Sequence, residues 1–457
     1  MKLSGRKVLV FGAGKSGIAA AKLLLQQEAF PVLYDSNTNL NKEETLKKIC
    51  GPDAGCAEVI TGELSDDTLH TLDLVVMSPG VPCDLPVMDR IRAAEITIWG
   101  EIELAYRCGK GRVYAITGTN GKTTSTALLG KIMADWCPEV YVVGNIGNPY
   151  TEIAAGQSEH AVTVAEVSSF QLETIEAFHP DACAITNITP DHLNRHHTME
   201  EYIRVKRRIF ENQTRSDVCI LNYEDDILRS MPAPDNTRVI WFSSQRPLEE
   251  GLWYEDGAIY SCLEGEKQLI IKTDELHVMG LHNYENVMTA VGIAMHAGVP
   301  LESIRSTLRS FRGVEHRIEY VAEIKGVRYY NDSKGTNPDA AIKGIRAMDR
   351  PTLLIGGGFD KESEYEEWIR CFEGKVKYFA LIGQTREKIR ETALACGFPE
   401  ERICLYENLK EAVAGCADRA VSGDAVLLSP ACASWGQFDN YEQRGDLFKE
   451  YVHALEE

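Results

Sequence analysis

Runs of apolar, β-branched residues alternate along the chain with segments of helical periodicity. Three of the runs end in a glycine-rich turn: VLVFGAGKSG from Val8, VYAITGTNGK from Val113 and TLLIGGGFDK from Thr352. Apolar runs of this kind predict buried strands, and helices between them predict parallel sheets. Because the three openings lie more than about 100 residues apart, the pattern predicts three α/β domains and not a short repeat.

Helical periodicity is clearest after Gly121, where apolar side chains recur three and four residues apart. These positions are Leu128, Leu129, Ile132, Met133 and Trp136. Other apolar runs that end in small or polar residues predict further strands, at 72–80, 161–169, 181–189, 376–383 and 424–434. Ligands of open α/β sheets bind beyond the carboxyl ends of strands, so we expect the chemistry there.

The predicted fold class is α/β with three domains. Residues 1–100 are expected to form a Rossmann-like N-terminal domain, residues 101–313 a central α/β domain of P-loop type, and residues 314–457 a C-terminal Rossmann-like α/β domain. The segment from Trp241 to Val278 has short alternating pieces and predicts a small antiparallel insert in the central domain. A chain of 457 residues is also longer than one hydrophobic core usually supports, which is ~250–300 residues.

Charge and cysteine content narrow the class of protein. A formal net charge of −20 disfavours nucleic acids and anionic membranes as partners, because phosphate surfaces attract basic faces. No stretch approaches the ~18 apolar residues of a membrane span, so we expect a cytoplasmic protein. The 13 cysteines include no C-x-x-C pair, and the closest two are Cys50 and Cys56. They predict scattered thiols of a reducing compartment, not a disulfide framework or a zinc ribbon.

The first glycine-rich turn has the spacing Gly12-x-Gly14-x-x-Gly17, and Asp35 ends the next apolar run. This pattern is typical of dinucleotide-binding turns, in which N–H groups at a helix start bind phosphate and the acid binds a ribose. NAD, FAD and UDP compounds all fit the pattern, and so does a tight turn without a ligand. Taken alone, it also allows an NAD-dependent oxidoreductase.

The second turn, ITGTNGKTT from Ile116, has two residues between Gly118 and Gly121, where the usual P-loop has four. Lys122 can reach β- and γ-phosphates, the Thr123 hydroxyl can bind Mg²⁺, and backbone N–H groups can surround the phosphates. The alternative is an empty turn. The residue types favour a phosphate-binding loop of unusual length.

Polar residues follow two more predicted strands. Glu166 ends an apolar run, where a carboxylate is either a metal ligand or a solvated strand end. Asp191 and His192 follow the next run. His192 and His196 are four residues apart and could form a zinc pair, but HExxH and nearby cysteines are absent.

Three later segments are dense in polar groups. LHNYENVMTA places Asn283 and Asn286 at a helix start, where one amide suffices as a cap and the other could contact a base. NDSKGTNP directly follows an apolar run and predicts a binding loop. SPACASWGQFDNYEQRG has small residues that allow a ligand near the backbone, followed by the aromatic residues Trp435, Phe438 and Tyr441.

Taken in order, these motifs resemble those of the Mur ligase family over essentially the whole chain. They are GTNGKTT, the Glu166 strand, NITPDHLNRH, LHNYENVMTA, EHRIE, NDSKGTNP and SPACASWGQF. That family, which includes folylpolyglutamate synthase, uses the short GTNGKT loop. The GxGxxG opening, GEIELA at 100–105 and SPACASWGQFDNYEQRG resemble the members that add D-glutamate to UDP-N-acetylmuramoyl-L-alanine. The resemblance implies a central ATPase domain and an acyl-phosphate intermediate in amide formation for peptidoglycan synthesis. We also expect the protein to be a monomer.

The resemblance also implies a role for each matching residue. ATP would contact Gly118, Thr119, Asn120, Gly121, Lys122, Thr123, Thr124, Asn283, Asn286, Arg317 and Asp332. Two Mg²⁺ ions would be held by Thr123, Glu166, His192 and Lys206, with Lys206 carbamylated. The UDP substrate would contact Gly14, Lys15, Ser16, Asp35, Ser36, Gly80, Asn145 and His192. D-Glutamate would contact Lys334, Thr336, Lys361, Ser434 and Tyr441. Lys122, His192, Lys206 and Arg317 would be the catalytic residues.

Three other functions stay open on sequence alone. An NAD-dependent oxidoreductase would leave Lys122, Glu166 and His192 unexplained. A non-catalytic nucleotide-binding scaffold would not need so many candidate phosphate and metal ligands. Another Mur-type ligase could add a different amino acid, because that choice depends on the geometry of the C-terminal loops.

Overall fold

The structure is a computed structural model that describes residues 2–51, 55–232, 237–263, 265–278, 280–360 and 363–455. The chain divides into two compact units, Met1–Ile271 with Glu285–Thr307 and Lys272–Tyr284 with Leu308–Glu457. The described residues form three sheets, which confirms the predicted three-part α/β fold class. The domain limits near residues 100 and 313 remain predictions.

The N-terminal sheet has five strands among the described residues: β1 (Lys7–Phe11), β2 (Phe30–Asp35), β3 (Glu58–Thr61), β4 (Leu74–Met77) and β5 (Thr97–Gly100). Its helices are α1 (Lys15–Gln26), α2 (Lys42–Cys50), α3 (Asp66–Leu69) and α4 (Pro86–Ala93). The strands are parallel in the order β3-β2-β1-β4-β5. Val8, Leu9 and Val10 of the middle strand are fully buried, as expected for a parallel strand covered on both faces.

Cys50 and Cys56 form a disulfide at the end of α2. The expectation that all cysteines are scattered thiols was therefore wrong for this pair. The chain turns after the helix at Gly51 (φ +63°) and again at Gly55 (φ +98°), which brings the two Cα atoms to 6.1 Å. The remaining eleven cysteines, all within the described ranges, are free.

The central sheet has nine strands in the part of the chain that is described: β6 (Arg112–Thr117), β7 (Val140–Gly144), β8 (Val162–Glu166), β9 (Ala182–Ile185), β10 (Val218–Asn222), β11 (Arg238–Ser243), β12 (Gly251–Glu255), β13 (Ala258–Cys262) and β14 (Gln268–Lys272). The helices of this region are α5 (Glu101–Cys108), α6 (Lys122–Ala134), α7 (Ser169–Leu172), α8 (Leu193–His196), α9 (Met199–Arg207), α10 (Asp226–Ser230), α11 (Leu281–His296) and α12 (Leu301–Ser310). The strand order is β14-β13-β12-β11-β10-β9-β6-β8-β7.

Two details of this region differ from the prediction. The antiparallel pair β12–β13 exists, but it is no separate insert, because β12 pairs in parallel with β11 and so continues the central sheet. Trp136 lies beyond the end of α6 and is 51% exposed, whereas Leu128, Leu129, Ile132 and Met133 are buried as predicted.

The C-terminal sheet has six strands among the described residues: β15 (Glu319–Ile324), β16 (Val327–Asn331), β17 (Thr352–Gly356), β18 (Val376–Leu381), β19 (Ile403–Leu405) and β20 (Ala425–Leu428). Its helices are α13 (Pro338–Ala347), α14 (Glu366–Arg370), α15 (Arg386–Ala395), α16 (Leu409–Ala417) and α17 (Tyr441–His453). The order is β15-β16-β20-β17-β18-β19, and the pair β15–β16 is antiparallel. Across the described residues, no helix has both the length and the apolar character needed to cross a bilayer.

Candidate active site

The turn between β6 and α6 requires both of its glycines. Gly118 and Gly121 have φ of +142° and +82°, a backbone region that favours glycine. A Cβ on Gly118 would lie 1.9 Å from Thr186 Oγ1, and one on Gly121 would lie 2.2 Å from Asn286 Oδ1. The helix begins at Lys122, directly after the turn, so its first N–H groups and its positive dipole end are available to an anion.

Two lysines converge on this turn. Lys122 Nζ donates to the carbonyl oxygens of Gly118 and Thr119, at 2.9 Å each. Lys206, from α9, donates to the same Gly118 carbonyl at 2.7 Å. Two ammonium groups so close repel each other, and either an anion in the turn or loss of a proton from one of them would relieve that repulsion. The pair therefore makes the turn a strong candidate for binding phosphate.

Lys206 is buried, unlike most lysines. Burial, aided by the nearby charge of Lys122, lowers its pKa to about 7. Its ammonium also lies 4.7 Å from the centre of the Tyr202 ring. A large fraction of this side chain is thus an unprotonated amine near neutral pH.

Glu166 lies beside the turn because β8 pairs with β6, with Glu166 opposite Ile116. Its carboxylate is buried, and Oε1 accepts a hydrogen bond of 2.7 Å from Asn145 Nδ2. The second oxygen, Oε2, is buried and has no hydrogen-bond partner among the described residues. Buried polar atoms are normally satisfied, and oxygen ligands suit Mg²⁺, so the orphaned oxygen fits a divalent cation.

His192 precedes α8 with a positive φ of 52° and a half-exposed imidazole. Its Nε2 lies 3.5 Å from Asp191 Oδ2, and its ring centre lies 4.8 Å from that of Phe170. His196, the other member of the zinc pair considered above, is buried and bonds through Nε2 to Ser169 Oγ at 2.9 Å. The two histidines therefore differ in exposure: His196 is buried and hydrogen-bonded, whereas the half-exposed ring of His192 can reach a ligand.

The remaining residues of the turn are held by α9 and by the loop after β9, and α11 contacts the start of α6. Thr119 Oγ1 lies 3.1 Å from the Tyr202 hydroxyl, and Asn120 N donates to Asn187 Oδ1 at 2.9 Å. Thr123 and Thr124 lie in the first turn of α6. Asn286 is buried and accepts from Ser125 Oγ at 3.3 Å, while Asn283 lies one turn earlier in α11.

The Asp35 carboxylate stabilises the first glycine-rich turn through hydrogen bonds to backbone N–H groups. Asp35 Oδ2 accepts from Ala13 N and Oδ1 accepts from Asn37 N, both at 2.9 Å. Lys15 Nζ, at the start of α1, donates to Asn148 Oδ1 at 2.9 Å. Four other residues predicted to contact the UDP substrate lie in the same N-terminal region. Gly14 and Ser16 lie at the start of α1, Ser36 follows β2, and Gly80 follows β4.

In the C-terminal sheet, the predicted residues follow the neighbouring strands β16 and β20. Asp332 is buried and accepts from Ser429 Oγ at 2.7 Å. Burial raises the pKa of Asp332 to about 7, against the opposing effects of that hydrogen bond and of the Arg317 charge. Lys334 Nζ lies 5.7 Å from the Tyr441 ring centre. Thr336 and Ser434 lie in the loops after β16 and β20, whereas Lys361 lies outside the described residues.

Arg444, on α17, was missed by the sequence reasoning. Its guanidinium is fully buried and donates to Ser333 Oγ (2.9 Å), Ser333 O (2.8 Å) and Cys432 O (3.2 Å). Burial lowers its pKa to about 10. The side chain therefore ties the loop after β16 to the loop after β20. Its sequence signal is weak, because an arginine inside EQRG normally reads as part of a solvated helix face.

Family models and relatives agree with this architecture. Residues 6–100 match the Mur ligase MurD-like N-terminal domain, residues 116–294 the Mur ligase middle domain, and residues 316–432 the Mur ligase glutamate ligase domain. The chain is 54% identical over 457 residues to the UDP-N-acetylmuramoylalanine–D-glutamate ligase of Lachnoclostridium phytofermentans, covering 100% of both chains. It is 50% identical over 456 residues to the ligase of the same name from Lachnospira eligens, again covering 100% of both.

A solved structure supports the fold. MurF ligase from Thermotoga maritima, in complex with ADP, superposes with a TM-score of 0.55 at 16% identity, covering 99% of each chain. At that identity the likeness concerns the fold alone. Full-length relatives at half identity, together with matches to all three family domains, carry the assignment: this chain belongs to the Mur ligase family.

Proposed function

We propose that this protein joins D-glutamate to UDP-N-acetylmuramoyl-L-alanine with the conversion of ATP to ADP and phosphate. The substrate carboxylate would attack the γ-phosphorus, breaking the bond to ADP and forming an acyl phosphate. The amine of D-glutamate would then attack the acyl carbon, giving the amide and releasing phosphate and a proton. The observation that carries the proposal is the convergence of Lys122, Lys206 and Glu166 on one glycine turn in a chain with full-length D-glutamate-ligase relatives.

The chemistry asks the protein for positioning and for charge, not for a covalent nucleophile. Lys122 would neutralise the β- and γ-phosphates, and the N–H groups of the turn and of the α6 start would orient them. Arg317 would act on the γ-phosphate, and Asn283, Asn286 and Asp332 would hold the adenosine. Asn145 would contact the muramoyl-alanine portion, and so place the attacking carboxylate.

Glu166, His192, Thr123 and Lys206 would hold two Mg²⁺ ions. Glu166 Oε2, which lacks a hydrogen-bond partner in the described part of the chain, and the half-exposed ring of His192 support this donor set. When bound, Mg²⁺ supplies neutralisation of the charge that develops on the transferring phosphoryl group. Asn145 would keep the Glu166 carboxylate oriented through its hydrogen bond to Oε1.

For Lys206 we propose carbamylation, which replaces a cation by an oxygen ligand. CO₂ adds to an unprotonated amine. With a pKa of about 7, half of the Lys206 amine is unprotonated at pH 7, against ~0.03% for an ordinary lysine of pKa 10.5. The carbamate would also place a negative charge beside Lys122.

Carbamate occupancy should therefore rise as pH rises from 6 to 8 at constant dissolved CO₂. Raising the pH through the lowered pKa removes the proton that blocks the reaction. The measurement is ¹³C NMR of the protein in ¹³C-labelled bicarbonate, where a carbamate resonance is expected in the wild type. Lys206→Arg keeps the charge but cannot form the carbamate, so the same resonance in that variant would contradict the assignment.

The reaction itself is tested by phosphate release from ATP and Mg²⁺ with UDP-N-acetylmuramoyl-L-alanine. D-Glutamate, L-glutamate, L-alanine, L-lysine and meso-diaminopimelate are compared as second substrates, and the amide product is identified by mass spectrometry. Release with D-glutamate alone supports the proposal. Release with another amino acid keeps the ligase and rejects the specificity. No release with any of them rejects the function.

A further inference from the structure

Arg195, on α8, joins the candidate metal site to a loop of the N-terminal sheet. Its side chain is 11% exposed, and that of its partner Glu173 is 13% exposed. Arg195 Nε donates to Glu173 Oε1 at 3.1 Å, and Nη2 donates to Glu173 Oε2 at 2.5 Å. The same Nη2 donates to the carbonyl oxygen of Val81 at 3.0 Å. Val81 directly follows Gly80, one of the predicted contacts of the UDP substrate.

Phe170 connects this guanidinium to His192. The Arg195 Cζ atom lies 4.9 Å from the centre of the Phe170 ring, within the range of a cation–π interaction. The Phe170 ring centre lies 4.8 Å from that of His192 and 5.6 Å from that of His196. Arg195, Phe170 and His192 are thus three planar groups in continuous contact: Phe170 lies on α7, Arg195 on α8, and His192 directly before α8.

The energetics favour a defined geometry for Arg195. An exposed arginine–carboxylate pair contributes little to stability. A bidentate pair that is shielded from water, however, fixes the orientation of the guanidinium. A single rotamer of Arg195 satisfies Glu173, Val81 and the Phe170 face together. Movement of the Val81 loop would therefore displace the guanidinium, and with it the ring that packs on His192.

We infer that Arg195 is a positioning residue that couples the substrate loop at Gly80–Val81 to the candidate metal ligand His192 through Phe170. The inference rests on the proposed function, since that function gives His192 and the loop their roles. Arg195 touches neither substrate nor metal in this scheme. It makes the orientation of His192 depend on the loop that is expected to contact the UDP substrate.

The test compares Arg195→Gln, Arg195→Lys, Phe170→Leu and the double variant Arg195→Gln/Phe170→Leu. The matched control is Arg208→Gln. Arg208 also pairs with a carboxylate, that of Glu211, and donates to the backbone carbonyls of Leu172, Glu173 and Ile175. It supports the same segment as Arg195 without bonding to the Glu173 carboxylate, and among the described residues none of its hydrogen bonds goes to the Val81 loop. Two readouts are needed: steady-state kinetics, and Mn²⁺ affinity measured by electron paramagnetic resonance with a non-hydrolysable ATP analogue.

Arg195→Gln should raise the KM for the UDP substrate roughly tenfold, the effect of losing one charge-assisted hydrogen bond. It should also weaken Mn²⁺ binding roughly tenfold, as the loss of support for a metal ligand does. Phe170→Leu should weaken Mn²⁺ binding alone, and the double variant should weaken it no further than Arg195→Gln does. Arg195→Lys, which keeps a cation near the ring, should fall between Arg195→Gln and the wild type. The KM for D-glutamate should stay constant throughout.

A purely structural Arg195 would lower kcat in both Arg195→Gln and Arg208→Gln while leaving KM and Mn²⁺ affinity unchanged, and that result would overturn the inference. So would Mn²⁺ effects that add in the double variant. If Arg195→Gln does not fold, the KM for the UDP substrate and the Mn²⁺ affinity of Arg195→Lys and Phe170→Leu test the inference instead. A wild-type protein without ligase activity would reject the proposed function, whereas the Mn²⁺ titrations would still decide the Arg195–Phe170–His192 coupling.

Discussion

Lys122→Ala should lower kcat/KM for ligation roughly 10²- to 10³-fold, the usual effect of removing one preorganised donor to a developing negative charge. The effect should appear mainly in kcat, because the charge that Lys122 faces grows as the phosphoryl group is transferred. Its ammonium already sits over the glycine turn through the carbonyls of Gly118 and Thr119. Steady-state kinetics with saturating D-glutamate measure the change.

Lys131→Ala is the matched control for Lys122. Lys131 belongs to the same helix, has a side chain that is 42% exposed, and pairs with Asp135 at 3.5 Å. That exposed pair contributes little, so activity and stability should stay close to those of the wild type. Equal losses in the two variants would mean that α6 needs its lysines for stability, and would remove Lys122 from the proposed site.

Glu166→Gln should weaken Mg²⁺ binding by about 100-fold or more, because even outer partners of metal ligands contribute 10- to 100-fold. Glutamine keeps an oxygen that can accept from Asn145 but lacks the charge that a hard cation prefers. The apparent Mg²⁺ affinity is measured at saturating ATP from initial rates, and independently from Mn²⁺ binding. High Mg²⁺ concentrations should restore part of the activity.

The control for Glu166 is Glu159→Gln, an exposed carboxylate that pairs with Lys110 at 3.0 Å. It should leave the Mg²⁺ dependence unchanged. Thermal unfolding without metal should show that Glu166→Gln is folded, since the substitution preserves shape. An unaltered Mg²⁺ dependence in a folded Glu166→Gln protein would contradict the assignment of Glu166 as a ligand.

Much of the fold follows from local signals. Each of the three apolar runs named at the outset, at Val8, Val113 and Thr352, forms a strand. The first two strands lead through a glycine turn into a helix. Gly118 could be assigned to a turn from its residue type, because its φ of +142° strongly favours glycine. Glu166 could also be predicted as a site residue from the sequence, because a carboxylate at the end of a buried parallel strand lies where ligands bind.

Other features depend on which strands become neighbours. Lys206 reaches the glycine turn from a distant helix, so neither its burial nor its lowered pKa has a local signal. The same holds for Arg444, which joins two loops of the C-terminal sheet. Strand order also determines that β12 pairs with β11. This pairing makes the expected insert a continuation of the central sheet.

By itself, the sequence determined the strand–turn–helix units, the loop that requires glycine and the family motifs, because periodicity and backbone preference act over a few residues. The tertiary structure alone decided that Lys206 shares the Gly118 carbonyl with Lys122, that Glu166 contacts Asn145, and that Arg195 contacts Val81. These contacts join segments that lie apart in the chain. Their geometry depends on sheet order and packing, which the local pattern of apolar and polar residues does not specify.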